Sequence, residues 1–387
     1  MLKFHPLRIT GLHPEGQDAI ALSLEVPQEL RAEYTGRAGQ HIVLRKQFEA
    51  EEVRRTYSLV NTPGEWPLRI VARVHEKGLM SRFFAEQLRV GDSIDVLPPN
   101  GSLTPHLGAY RAGAMYVAFA AGCGITPVLS IAKAILQSDG ANQLILFYGN
   151  TSSERTMCLE ELLALKDQYV QRLALHFVMS REPQEVELYN GRLDGERVRL
   201  FARLLFKPEE IAEYFICGPG DMIDQLGATL RDLGVGAEHL HGEHFTLGAG
   251  VAPRAAAPAA APAAPASRDS RTSTAVGAAE SIDGRGSQPA SAADTAEVTV
   301  LMDGRRRTFT MKMNEDTVLD AAARAGLELP FSCRAGVCST CRTKVLSGKV
   351  EMAQNYALED WELEQGYILA CQSRVMTPVL ELDYDEK

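Results

Sequence analysis

The strongest chemical signal in the sequence is four cysteines: Cys333, Cys338 and Cys341 spaced C-x4-C-x2-C, and Cys371 after 29 further residues. Thiolates at that spacing hold two irons bridged by sulfides, a 2Fe-2S cluster. The intervening loop, Arg334-Ala335-Gly336-Val337 and Ser339-Thr340, is short and glycine-bearing, which lets backbone N–H groups approach the cluster sulfurs. Structural zinc is the competing reading. It usually needs two closely spaced pairs, and here only one pair is close.

A second group is Arg55-Thr56-Tyr57-Ser58-Leu59, followed by Gly78-Leu79-Met80-Ser81. A tyrosine ring stacks on a flat cofactor, an arginine neutralises a phosphate, and a serine hydroxyl reaches a reacting ring atom. Gly78 and Ser81 open a helix whose first N–H groups suit a pyrophosphate. From these residues alone, a core strand with a common aromatic reads equally well.

A third group is Gly122-Cys123-Gly124-Ile125-Thr126-Pro127, directly after an apolar strand. It predicts a glycine turn into a helix with Thr126 as N-cap and Pro127 as first helical residue, leaving N–H groups open to a phosphate. A tight turn without a ligand is the bland alternative. Ser180-Arg181 follows a later strand and suits an extra phosphate, which favours NADP over NAD, although an exposed loop arginine fits as well. Cys217-Gly218-Pro219 ends another apolar strand, with Met222 starting the next helix. Ligands bind at the carboxyl ends of parallel strands, so Cys217 is placed to meet a nicotinamide, while a small buried core cysteine is an equal reading. Glu243 and Phe245, on the last strand of this region, are candidates for a carboxylate and an aromatic shield at the same site.

These groups need scaffolds to position them. Residues 41–44, 56–60, 68–74 and 93–97 read as short strands interrupted by a helix at 79–88, which suggests an antiparallel β-barrel over residues 1–108. From residue 109 to 248, strands at 115–120, 144–148, 173–179 and 214–217 alternate with helices from Pro127, Leu159 and Asp221. That rhythm predicts a doubly wound α/β sheet. Residues 249–296 are mostly Ala, Pro, Gly and Ser with no aromatic, and read as a disordered linker. After it, 297–302 and 308–312 form a hairpin around Asp303-Gly304, with a short helix at 318–325, giving a small domain over 297–387.

The composition limits what such an assembly does. The 387 residues are 45% hydrophobic and 23% charged, a soluble globular range with room for several cores. With 40 Lys and Arg against 50 Asp and Glu, the net charge of -10 argues against a broad footprint on nucleic acid or anionic lipid. The start of the sequence has no export pattern and the most apolar run, 114–121, is far too short for a membrane span, so the expected location is cytoplasmic.

Taken in order, the four groups resemble the ferredoxin-NADP reductase superfamily fused to a C-terminal plant-type ferredoxin. That likeness implies a flavin barrel, a nucleotide domain and an α+β (β-grasp) 2Fe-2S domain. It implies that Arg55, Tyr57, Ser58 and Leu59, with Val71, Val74, Gly78, Met80 and Ser81, hold FAD. It places NADPH, with NADH as an alternative, on Gly122, Thr126, Pro127, Ser180, Arg181, Cys217, Gly218 and Met222. By the same likeness Ser58, Cys217 and Glu243 lie along the hydride path, Phe245 covers the flavin, and Glu182 belongs to the 2'-phosphate segment. One departure is Thr151, where an arginine is expected. FMN in place of FAD occurs in related folds, but the Gly78–Ser81 segment favours FAD. More narrowly, Asn355-Tyr356-Ala357-Leu358-Glu359 and Gly366 to Ser373 resemble reductase subunits of phenylacetyl-CoA 1,2-epoxidases, which implies electron transfer to a di-iron oxygenase in phenylacetate degradation. The alternatives are a reductase for another ring or steroid hydroxylase, and a non-enzymatic redox-sensing or docking protein.

Overall fold

The computed structural model describes residues 3–49, 51–101, 103–104, 110–138, 140–244, 259–260, 295–358 and 360–386. The chain divides into two compact units. One comprises Met1–Arg254, Pro330–Cys341 and Asn355–Ala357, and the other Ala255–Leu329, Arg342–Gln354 and Leu358–Lys387.

In the first unit, six antiparallel strands form the barrel: β1 (His5–Glu15), β2 (Ala19–Glu25), β3 (His41–Phe48), β4 (Glu51–Ser58), β5 (Leu68–Arg73) and β6 (Ser93–Asn100). Their order is β4-β3-β6-β1-β2-β5, and a bridge between Leu59 and Ile70 links the two ends. Strands β1 and β2 go beyond the sequence reading. Pro6, Gly11 and Pro14 obscure the alternation that buries Leu7 and Ile9, and the register shifts at a bulge between Ile9 and Gly11. Helix α1 (Leu79–Glu86) starts from Gly78 as N-cap and buries Met80, Phe83 and Phe84 in the barrel core.

The same unit continues as a parallel sheet of β7 (Met115–Ala121), β8 (Gln143–Asn150), β9 (Leu173–Met179), β10 (Ile211–Gly218) and β11 (Leu240–His244), in the order β11-β10-β7-β8-β9. Helices α2 (Ile125–Ser138) and α3 (Leu159–Gln168) cover one face, and α4 (Gly195–Leu204) and α5 (Gly220–Asp232) the other. Apolar strands packed on both faces are what a parallel sheet requires. Helix α4 is absent from the sequence reading, yet its signals are present: Asp194 accepts from the Arg197 N–H at 2.9 Å as N-cap, and Val198 and Phe201 bury one face. Phe201 stacks on Phe147 at 4.2 Å between ring centroids, so truncating it to alanine should cost about 3–5 kcal/mol.

Most of the expected linker, 249–296, lies outside the described residues. In the second unit, Ala259–Ala260 (β12) pairs with Val350 and Lys349, and the hairpin strand β13 (Thr295–Met302) starts two residues inside that stretch. Strand β13 pairs antiparallel with β14 (Arg305–Lys312) and parallel with β19 (Val379–Asp383), which continues to β15 (Arg342–Ser347) and β17 (Tyr367–Leu369). A second small group pairs β16 (Lys349–Met352) with β18 (Ser373–Val375). Helix α6 (Val318–Arg324), capped by the Thr317 side chain, buries Val318, Leu319, Ala321 and Ala322. This is the expected α+β ferredoxin-like fold.

Candidate functional site

In the parallel sheet the strand order reverses between β7 and β10, which opens a crevice at their carboxyl ends. Both strands end in glycine turns. After Ala121 the chain enters a single 3-10 turn, Gly122–Gly124, with Gly122 at φ +54°, and α2 begins at Ile125. This corrects the expected cap. Thr126 lies inside the first helical turn, where its Oγ1 donates to the Cys123 carbonyl at 3.0 Å, and Thr126 and Pro127 are both buried. The glycine at 124 is obligatory for closeness: a Cβ there would lie 2.1 Å from the Cys217 carbonyl oxygen. Beside this contact is a cavity of about 450 Å³, whose lining includes Gly122, Cys123, Ser180, Gly218, Pro219 and Met222.

Three guanidiniums also line that cavity, those of Arg73, Arg155 and Arg192. None of the three lies within a sequence motif described above. Arg181, the expected phosphate partner, is exposed and is tied to the loop through its backbone N–H, which donates to the Thr151 carbonyl at 3.0 Å. Glu182 accepts from the Ser153 N–H at 2.7 Å and from its hydroxyl, clipping the 3-10 turn Ser153–Arg155. Thr151 lines the cavity where an arginine is expected, and Arg155, four residues on, brings a cation to the same wall.

On the barrel side, register places His41 opposite Ser58, while in the parallel sheet Cys217 lies opposite Glu243. His41 Nδ1 is 3.1 Å from Glu243 Oε1, and Cys217 Sγ is 3.4 Å from the Glu243 carbonyl. Burial, with Glu243 adding to it, pushes the Cys217 thiol far up, so it is neutral at physiological pH. Three buried polar atoms here have no hydrogen-bond partner among the described residues: Ser58 Oγ, His41 Nε2 and Glu243 Oε2. Each costs roughly 1–3 kcal/mol when left unmade. A heteroaromatic ring with donors and acceptors along its edge, such as a flavin or nicotinamide, fits that demand.

The remaining predicted flavin residues are dispersed. Arg55 is exposed, and its Nη1 donates to the Arg54 carbonyl. Tyr57 is half-buried with its ring 5.4 Å from that of Phe84. Ser81 is buried and its Oγ accepts from the His75 N–H at 3.2 Å, which closes the turn before α1. Leu59, Val71 and Met80 are buried in the cores and Val74 is half-buried. Phe245 lies outside the described residues.

In the cysteine loop, Arg334 (φ +54°), Gly336 (φ +75°) and Ser339 (φ +48°) take left-handed backbone conformations. This turns N–H groups toward sulfur: Ala335 N donates to Cys333 Sγ at 3.4 Å and Cys333 N to Cys338 Sγ at 3.5 Å. In the second unit, Gln372 Nε2 lies 3.7 Å from Cys371 Sγ. Among the described residues no group of three or more His, Cys, Asp or Glu side chains is placed to hold a metal ion, the four cysteines included. A binuclear cluster takes two thiolates per iron, and the N–H donors to sulfur fit it.

A flavin-type barrel, a nucleotide-type crevice and a ferredoxin-like domain in one chain define an electron-transfer flavoprotein of the ferredoxin-NADP reductase type. Residues 7–104 match the oxidoreductase FAD-binding domain, 119–227 the oxidoreductase NAD-binding domain, and 300–376 the 2Fe-2S iron-sulfur cluster binding domain. The sequence is 36% identical over 389 residues to a component of the 1,2-phenylacetyl-CoA epoxidase of Escherichia coli (strain K12), covering 100% of this chain and 99% of that protein. It is 30% identical to the ferredoxin reductase component of 3-ketosteroid-9-alpha-monooxygenase of Rhodococcus rhodochrous, covering 98% of this chain and 96% of that one. Phthalate dioxygenase reductase shares the fold, with a TM-score of 0.54 at 20% identity and 98% of each chain covered. The chain belongs to this family of flavin and iron-sulfur reductases, the electron-transfer components of oxygenase systems. Among the described residues no helix is long and apolar enough to cross a membrane.

Proposed function

We propose that this chain takes electrons from NADPH, with NADH as the alternative donor, and delivers them to a di-iron phenylacetyl-CoA epoxidase in phenylacetate degradation. The observation that carries this reading is the 36% identity extending over the whole chain, all three domains included, to the epoxidase component of Escherichia coli. FAD and the cluster, when bound, would supply the conversion of the nicotinamide's electron pair into single electrons, and four-thiolate ligation of the plant type implies a low cluster potential of about -400 mV.

The chain's own residues have definable tasks in this scheme. Arg55 and the N–H groups opening α1 at Gly78 neutralise and bind the flavin pyrophosphate, and Tyr57 offers a ring face. Ser58 Oγ, unpartnered and buried, is free to hydrogen-bond the ring edge where the hydride arrives. Cys217, a neutral thiol, packs against the nicotinamide and excludes water, and Glu243 with His41 holds a proton beside it. Gly122, Gly218 and Met222 shape the crevice, and Ser180 and Arg192, which line it, face the 2'-phosphate, with the exposed Arg181 next to Ser180 in the chain. Cys333, Cys338, Cys341 and Cys371 ligate the irons.

A second reading keeps the electron path and changes the recipient to a steroid hydroxylase, as the 30% identical relative from Rhodococcus rhodochrous suggests. The test is an anaerobic absorbance titration with NADPH and NADH, followed by reconstitution with purified oxygenase components. Uptake of about three electrons per chain and coupled epoxidation of phenylacetyl-CoA are the expected results. Flavin bleaching without a cluster signal would reduce the protein to a flavin reductase. Coupling only to a steroid hydroxylase would favour the second reading.

A further inference from the structure

Two of the three guanidiniums in the nucleotide cavity are tied to one carboxylate that the sheet itself does not supply. Asp18 lies in the turn between β1 and β2 of the barrel. Its Oδ1 pairs with Arg73 Nη1, and its Oδ2 is 2.5 Å from Arg155 Nη2. The turn is pinned on the nucleotide-binding side: Gln17 N donates to the Glu154 carbonyl at 2.9 Å, and Glu15 Oε1 accepts from Cys158 N at 2.8 Å. The residue after the neighbouring strand β5 fixes it too, since the Asp18 carbonyl accepts from Val74 N at 2.8 Å. Arg73 Nη2 also donates to the Arg155 carbonyl at 3.2 Å, so the two cations and the carboxylate form one built unit.

The charge arithmetic of that unit is uneven. Two guanidiniums and one carboxylate leave a single net positive charge facing a pyrophosphate that carries about two negative ones. We propose that Asp18 is an affinity-setting counter-ion of the nucleotide site. It orients Arg73 and Arg155 toward the diphosphate while opposing the diphosphate's charge, so that bound nucleotide is held weakly enough to be released. This rests on reading the cavity as the nucleotide site, and it concerns the diphosphate shared by NADPH and NADH rather than the 2'-phosphate that distinguishes them.

The test is calorimetric binding of NADP⁺ and of 5'-ADP to the full-length holoprotein at low ionic strength. Asp18→Asn removes the charge and keeps the size of the side chain, with one of the two acceptor oxygens retained. It should tighten both ligands by about fivefold to tenfold, and the gain should fade as salt is raised, a dependence that a purely structural role would not show. Arg155→Gln serves as a second variant should Asp18→Asn fold poorly, and it should weaken both ligands by about the same factor. Unchanged or weaker binding by a folded Asp18→Asn, or an Arg155→Gln that binds like the wild type, would overturn the counter-ion role. Failure of the wild-type protein to bind either ligand would overturn the nucleotide reading and this inference with it.

Discussion

His41 Nδ1 lies 3.1 Å from Glu243 Oε1, and the second polar atom of each side chain is buried without a partner among the described residues. Which atom donates in that contact depends on the imidazole tautomer, and Nε2 is left for a further partner. The pair joins the barrel to the last strand of the parallel sheet, and an unpartnered Ser58 hydroxyl lies across from His41 in the strand register. Glu243→Gln keeps the size of the side chain and removes its charge. The expected outcome is normal flavin content with flavin reduction by NADPH slowed roughly tenfold to a hundredfold, as for loss of one positioned charged group. Anaerobic stopped-flow absorbance measures this, and a wild-type rate would remove Glu243 from the hydride path.

A partly buried ionic network, in which Lys133 is the enclosed member, sets the acid limit of the first unit. Arg69 on β5 grips Glu161 on α3 through two bonds of 3.0 and 3.1 Å, and Lys133 on α2 reaches the same carboxylate at 2.5 Å while donating to the Val60 carbonyl. Burial alone would raise the Glu161 carboxyl, but the bonds from Arg69 and Lys133 bring it below its ordinary value. A carboxyl depressed in the folded state contributes stability above its unfolded value of about 4.3, and that contribution is lost as pH falls through the folded value. Glu161→Gln leaves Lys133 buried and unpaired. A loss of about 2 kcal/mol in urea unfolding at pH 7 is expected, discounted from that of a fully enclosed pair because Glu161 is partly exposed. The wild type should lose this advantage below about pH 4. Parallel stability curves for the two proteins across pH 3 to 7 would contradict the assignment.

Two glycines of the same turn should respond differently to alanine. At Gly122 a Cβ meets nothing within 4 Å, so the cost comes from its φ of +54° alone, about 1–2 kcal/mol. At Gly124 the Cβ would be driven into the Cys217 backbone, and β7 and β10 must separate to accept it. Gly124→Ala is therefore expected to cost at least about 3 kcal/mol and to abolish nucleotide binding, whereas Gly122→Ala should fold well. Thermal unfolding with calorimetric titration distinguishes the two, and equal stability would show that the turn is not held against Cys217.

What the sequence makes legible is local. The cysteine spacing, the glycine turns after Ala121 and before Gly220, and the strand and helix alternation are all written within a few residues of one another. Strands β1 and β2 are harder to read because prolines and a bulged glycine interrupt an alternation that Leu7 and Ile9 still carry. The Thr126-Pro127 pair misleads for a different reason: the preceding glycines wind into a 3-10 turn, so the helix begins one residue before Thr126. The cations of the nucleotide cavity escape sequence reasoning altogether. Arg73 ends a barrel strand, Arg155 closes a 3-10 turn and Arg192 follows a left-handed glycine, and only the fold brings them to one wall.

Arg192 provides the sharpest test of nucleotide choice. Unlike Arg73 and Arg155, its guanidinium has neither an ion pair nor a hydrogen bond among the described residues, and it stands exposed on the cavity wall. The Gly191 N–H, which donates to the Met179 carbonyl at 2.8 Å, fixes the chain just before it at the end of β9, the strand that leads into Ser180. A free cation on that side of the cavity suits a second phosphate and leaves the shared diphosphate to other residues. A hydrogen-bonded charge pair contributes about 1.5–3 kcal/mol, so Arg192→Ala should raise the KM for NADPH at least tenfold and leave that for NADH within twofold. Arg181→Ala, made in parallel, shows how the two arginines share the task. If Arg192→Ala weakens both nucleotides equally, Arg192 touches the part they have in common, and the preference for NADPH must come from Ser180 and Arg181.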